Sequence, residues 1–141
     1  MREVELYRIV LNERTPEQTI YLREVSGEKK LIPIVIGIFE ANAIQMGLYS
    51  IPTERPMTHD LIFSVLSKLN CEAQRVIITR LVKGTFYSDL VVSTPTGIVR
   101  IDARPSDAIA LAVRKKLPLF VSDEVYNAAA VDDQHNEQFD K

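Results

Sequence analysis

Three short apolar segments separated only by tight turns constrain this chain more than anything else in it. Residues 75–82 (RVIITRLV), 85–93 (TFYSDLVVS) and 98–103 (IVRIDA) have strand length and are rich in β-branched residues, with Lys83 and Gly84 between the first two and TPTG (94–97) before the third. Turns this short leave no room for a helical crossover, so the three segments must pair antiparallel. In the third, Val99, Ile101 and Ala103 alternate with Arg100 and Asp102, giving one apolar and one polar face. An apolar sheet face needs a second layer. Residues 106–116, with Ala108, Ile109, Leu111, Ala112 and Val113, read as the helix that supplies it, and its terminal Arg114, Lys115 and Lys116 suit the negative pole.

The N-terminal half repeats this logic. Residues 3–11 and 19–25 alternate as strands around a polar loop, and 29–37 (KKLIPIVIG) is a continuous apolar run whose Pro33 places it at an edge or a bulge. A helix is expected over 39–50, well buried, with Phe39, Ala43, Ile44 and Met46 on one side and Ala41, Gly47 and Leu48 making the other side apolar or small as well, and a second over 59–69 with Leu61, Ile62, Val65, Leu66 and Leu69 as its apolar stripe and Asn70 as its stop. Residues 117–121 read as a last strand, and Ser122 as the cap of a last helix. The expected fold class is α+β, an antiparallel β-sheet with helices packed on one side. The order βββαα–βββα–βα suggests an internal βββα duplication, in which Ala43 and Ile44 superpose on Ala108 and Ile109.

A chain of 141 residues is the size of one domain, expected over 1–126 with an acidic tail over 127–141. Six acids and one base follow Val121, which leaves residues 1–121 at +3, a balance that permits nucleic-acid binding without demanding it. No apolar run reaches the ~18 residues of a membrane span, and the N-terminus lacks a signal peptide's apolar region; a cytoplasmic protein without membrane contact is expected. The lone Cys71 excludes an internal disulfide and a Cys-rich zinc site, and reads as a small buried residue.

Two segments carry the candidate chemistry: RPMTHD (55–60) and RPSD (104–107), each just before a helical pattern. Thr58 and Ser106 read as helix caps. A helix start presents free N–H groups and partial positive charge, so Arg55 with Thr58, and Arg104 with Ser106, are candidate phosphate seats. The same arginines are equally readable as braces paired with Asp60, Asp107 or Asp102. Glu40, Asp60, Asp102 and Asp107, all at strand ends or helix starts, are candidate oxygen ligands for a hard divalent cation such as Mg²⁺, Mn²⁺ or Ca²⁺. His59 is a candidate general base. Its only possible histidine partner is His135 in the tail, which disfavours a two-histidine mechanism. No nucleophile elbow, Gly-rich phosphate loop or dinucleotide fingerprint occurs, so no organic cofactor is expected.

Together, LIPIVIGIFEANAI, RPMTHDL, GTFYSDLVV and IDARPSDAIALAVR resemble the bifunctional nuclease domain family, a likeness running from about Val4 to about Val125. The resemblance implies DNase and RNase activity and, in plants, a link to defence signalling. It also implies that Glu40, Arg55, Pro56, Thr58, His59, Asp60, Asp102, Arg104, Pro105, Ser106, Asp107 and Arg114 fall on the family's recurring polar and turn positions.

The resulting expectation is a metal-assisted phosphodiesterase. His59, Asp60 and Asp107 would be catalytic; Arg55, Thr58, Arg104, Ser106 and Arg114 would bind substrate; Glu40, Asp102 and Asp107 would hold the metal. The alternatives are a non-catalytic module that binds an anionic ligand or a partner, and a purely structural role for both segments. The apolar runs around 31–38 and 117–121 suggest a homodimer.

Overall fold

A computed structural model describes residues 1–133. The elements follow in the order β1 (Arg2–Val10), β2 (Glu17–Glu24), β3 (Leu31–Gly37), α1 (Ile38–Leu48), α2 (Thr58–Lys68), β4 (Glu72–Val82), β5 (Thr85–Thr94), β6 (Gly97–Ala103), α3 (Pro105–Lys115), β7 (Leu119–Val121) and α4 (Asp123–Ala129). All seven strands join one sheet in the order β3-β2-β1-β7-β4-β5-β6. It consists of two antiparallel meanders, β1 to β3 and β4 to β6, with short β7 inserted between them. β7 runs antiparallel to β1 and parallel to β4. The fold is α+β, and each meander is followed by a helix, α1 or α3.

The turn chemistry explains the meanders. Lys83 and Gly84 both have positive φ, 50° and 80°. That is the requirement of a two-residue turn whose twist matches its strands, and Val82 and Thr85 pair directly across it. Asn70 stops α2 in the left-handed region at φ 59°, which its short polar side chain tolerates. Pro33 sits in the edge strand β3 opposite Tyr21, where its missing N–H costs no internal ladder bond.

One sheet face carries the core. Ile20, Leu22, Ile32 and Ile34 meet Val76, Ile78, Leu90 and Val92 there, under Ile44 of α1, Ile109 of α3 and Val125 of α4. Burying each such aliphatic side chain is worth about 1.5–3 kcal/mol. Ser122 caps α4 as expected, accepting from Val125 N at 3.1 Å, and its hydroxyl also donates to Thr79 O, which ties α4 to β4.

Several local expectations change. The buried face of α1 is Ala41, Ile44 and Gly47, whereas Phe39 is 84% exposed, because the helix lies against α3 through its small residues. In α2, Ile62 and Leu66 pack on the core together with Phe63, while Leu61, Val65 and Leu69 are exposed, so two of the five expected stripe residues are used. Thr58 and Ser106 are not the caps. The cap positions fall to Met57 and Arg104, with Pro105 as the first residue of α3, where its fixed φ is suited. Cys71 is half-buried rather than buried. The run 117–121 contains the interior strand β7, with Leu119 and Val121 in the core. The domain also extends beyond residue 126. α4 continues to Ala129, Val131 exchanges backbone hydrogen bonds with Leu31, and Asp133 lies 3.5 Å from Arg8. The rest of the expected acidic tail, residues 134–141 with His135, lies outside the described residues.

Candidate functional site

The starts of α1, α2 and α3 converge. β3 runs directly into α1 through Gly37 and places Glu40 in the first turn. A Cβ on Gly37 would stand 2.7 Å from Glu40 Oε2, so glycine leaves the space into which that carboxylate folds. β6 ends at Ala103 and the chain enters α3 through Arg104 and Pro105, which sets Asp107 in the first turn. The first turn of α2 holds His59 and Asp60. Carboxylates at these positions are favoured by the partial positive charge of helix N-termini.

Asp107 is the hub of a first network. Its Oδ1 lies 3.0 Å from His59 Nε2, and Arg104 donates to it twice, from Nε to Oδ2 at 2.8 Å and from Nη2 to Oδ1 at 3.2 Å. Arg104 Nη1 reaches Glu40 Oε1 at 3.3 Å. Burial pushes the Asp107 carboxyl up, but the hydrogen bonds from Arg104 and His59 outweigh it and hold the acid below the usual range. The bond to Asp107, followed by that to Glu40, likewise raises the affinity of Arg104 for its proton. With Asp107 ionised, His59 Nε2 is the donor in their bond.

A second network braces the same three helices. Arg114, with its side chain only 8% exposed, donates to Asp60 Oδ1 at 3.2 Å and to the carbonyls of Ala43 and Ala110 at 2.9 and 3.1 Å. Asp60 Oδ2 in turn accepts from Met57 N at 2.9 Å, closing the start of α2. Asp60 and Arg114 are therefore held by structural partners.

The first network opens on a groove of about 430 Å³ between the β3 edge and the β4–β5 turn, lined among others by Ile36, Glu40, Phe86, Arg104 and Ser106. Arg104 is its most exposed charged wall, with 64% of its side chain accessible. His59 is buried behind Asp107. Of the sequence candidates, the fold thus unites Glu40, His59, Arg104, Ser106 and Asp107. Arg55 and Thr58 are exposed in the approach to α2, away from the groove lining. Asp102 pairs in register with Asp89, which alternates with the core residues Ser88 and Leu90, so it lies on the sheet face opposite the helices.

This separation bears on the divalent cation. Among the described residues no three His, Cys, Asp or Glu side chains are grouped so as to hold a metal ion. Glu40 and Asp107 do approach each other, but the guanidinium of Arg104 bridges them. The arrangement does not fit the expected cage of Glu40, Asp102 and Asp107.

Sequence reasoning missed a buried acid outside the site. Glu24 accepts from Arg2 at 2.8 Å and from the Tyr126 hydroxyl at 3.0 Å, while Arg2 stacks 3.9 Å above the Tyr126 ring. Chiefly through the Arg2 hydrogen bond, its carboxyl is held below the usual range. The signal was available: Glu24 continues the inward alternation of Ile20 and Leu22, and an acid pointing into a core requires partners. The tertiary neighbours Arg114 and Val113 show why Gly47 must be small, whereas the constraint on Gly37 is local and comes from Glu40.

An α+β domain in which a His–Asp–Arg–Glu network joins three helix starts beside a groove is the class that fold and site define. The chain belongs to the bifunctional nuclease domain family, which matches residues 20–134. It is 35% identical over 131 residues to an uncharacterized protein of Mycobacterium tuberculosis strain H37Rv, covering 93% of this chain and 77% of that one. It is also similar to Bifunctional nuclease 2 of Oryza sativa subsp. japonica, 28% identical over 77% of this chain, and to Bifunctional nuclease 1 of Arabidopsis thaliana, 27% identical over 79%. The matched region spans about a third of those plant proteins, 34% and 35%. No helix among the described residues is long and apolar enough to cross a membrane.

Proposed function

We propose that this protein hydrolyses phosphodiester bonds of DNA or RNA in the groove beside Arg104. The observation that carries the reading is the network that joins Glu40, His59, Arg104 and Asp107 from three separate helix starts, with Glu40 and Arg104 lining the groove. Membership of a family whose plant relatives are named nucleases supports it. In this reading Arg104, exposed and fork-shaped, seats a phosphate. Glu40 faces the groove with Oε2 outside the Arg104 bond and takes the proton of an attacking water; as the new P–O bond forms, the P–O bond to one sugar oxygen breaks, and that departing oxygen takes a proton from solvent water. Asp107 holds the Arg104 fork, and buried His59 holds Asp107. Asp60 and Arg114 fix the helices rather than touch substrate. No step is routed through a divalent cation, because Glu40, Asp102 and Asp107 do not assemble around one.

Turnover of single- and double-stranded DNA and of RNA by highly purified full-length protein tests this, with and without Mg²⁺, Mn²⁺ or Ca²⁺. Glu40→Gln and Arg104→Ala should each lower turnover by about 100-fold or more, the scale of a lost general base. Equal activity in the wild type and the Glu40→Gln/Arg104→Ala double variant would assign the activity to a contaminant and refute the proposal. The double neutralisation of Arg104 by Glu40 and Asp107 favours a second reading, a non-catalytic module. That reading predicts no turnover together with a raised Tm on adding nucleotides or inorganic phosphate.

A further inference from the structure

The two edges of the sheet are finished differently. The β3 edge carries Pro33, and Val131 pairs with its first residue, Leu31; both features discourage pairing with another chain. The β6 edge carries neither. Its sequence, GIVRIDA, has no Pro, no Lys and no bulge against β5, and six of its seven residues are exposed. Ile98, Val99 and Ile101 are 65%, 43% and 43% exposed. Arg100 already reaches Asp89 at 3.3 Å, whereas Asp102 has no ion pair among the described residues. A strand without those protections, with Val99, Ile101 and Ala103 on one face and Ile98, Arg100 and Asp102 on the other, is a template for another strand.

We infer that β6 pairs antiparallel with β6 of a second copy of this chain about a two-fold axis at Ile101. Charge selects both the occupant and the register. Like faces must coincide, so Arg100 and Asp102 oppose only residues of their own face. Centring on Ile101 sets Arg100 opposite the partner subunit's Asp102, and Asp102 opposite the partner subunit's Arg100. On the other face it stacks Ile101 on Ile101 and Val99 on Ala103. Moving the axis to Arg100 opposes two arginines, and moving it to Asp102 opposes two aspartates. The sheet then runs through both copies, and the surface differs from the apolar runs first expected to join subunits.

Light scattering and sedimentation of the full chain at tens of micromolar should give twice the chain mass. Asp102→Arg should weaken association at least 10-fold, and Arg100→Asp/Asp102→Arg, which restores complementarity with reversed signs, should recover it. In a Cys71→Ser background, Ile101→Cys should cross-link under mild oxidation. Residues opposed at an antiparallel axis have Cα atoms about 4.5–5.5 Å apart, within disulfide reach. Val99→Cys, which faces the partner subunit's Ala103, should not cross-link. A monomeric wild type overturns the inference. So does a dimer indifferent to Asp102→Arg that fails to cross-link through Ile101→Cys. A third refutation would be a monomer whose β6 amides are protected from exchange and lose that protection when residues 134–141 are deleted, since the chain's own C-terminus would then occupy the edge. If Asp102→Arg fails to fold, the cross-linking pair decides alone.

Discussion

Gly47→Ala tests whether Arg114 is a fixed brace. In an isolated helix this substitution stabilises by about 1 kcal/mol. Here the new Cβ would lie 2.7 Å from Arg114 Nη1, 2.8 Å from Arg114 Cγ and 3.1 Å from Val113 Cγ2. A free arginine would swing aside at little cost. Arg114 is not free: its stem is inside the contact and its head is held by Ala43, Ala110 and Asp60. Overpacking of this kind costs about 1–3 kcal/mol, and each hydrogen bond to a charged group that breaks costs about 1.5–3 kcal/mol. Against the propensity gain, the net effect should be a loss of about 1–4 kcal/mol. At about 0.3 kcal/mol/K of unfolding entropy for a chain of this size, Tm falls by roughly 3–13 °C. The decisive assay is a double-mutant cycle by denaturant unfolding. In an Arg114→Ala background the two closest contacts are gone and only Val113 Cγ2 remains near, so Gly47→Ala should become neutral or stabilising by up to about 1 kcal/mol, a strong coupling between the two positions. Equal stabilisation by Gly47→Ala in both backgrounds would refute the brace.

Three further outcomes follow from the same structure. Asp107 and Glu24 have folded-state carboxyls below their ordinary values, so their contribution is fully present above about pH 4 and is lost as pH falls through the lower folded value. Stability measured against pH should therefore drop on the acid side, and Asp107→Asn should flatten part of that slope while lowering stability at neutral pH; an unchanged slope contradicts the pairing with Arg104 and His59. Tyr126→Phe removes one of the two side-chain donors to buried Glu24 and should cost about 1–3 kcal/mol in urea unfolding. Gly84→Ala has open space for its Cβ but a φ of +80°, so its cost of about 1 kcal/mol or somewhat less is purely backbone; a neutral result would mean that the turn relaxes.

The fold was legible where local chemistry decides it. Lys83 with Gly84, Pro33, Ser122 and Asn70 each do what their backbone preferences dictate, and alternation or apolar runs of strand length marked the strands of both meanders. Helix burial was less legible, because an apolar stripe says only that a helix has a face to hide. Phe39 and Leu61 have the right spacing but find no neighbour, whereas Gly47 and Ala41 are buried because α1 lies close on α3. In the site, residue types were readable but partners were not. Arg104 was expected near Asp102 or Asp107 and takes Asp107 with Glu40; Asp60 takes Arg114, 54 residues away, rather than Arg55 in its own segment.

By itself the sequence determined that strands 75–82, 85–93 and 98–103 pair antiparallel, that helices cover one face, and that the polar residues of RPMTHD and RPSD stand at helix starts. These are short-range consequences of turn geometry and side-chain periodicity. Tertiary structure alone decided that β7 would enter between β1 and β4, that Asp102 would face away from Asp107, and that β6 would end the sheet among the described residues. Those outcomes depend on contacts between residues far apart in the chain, where helix packing and sheet order set which charges meet.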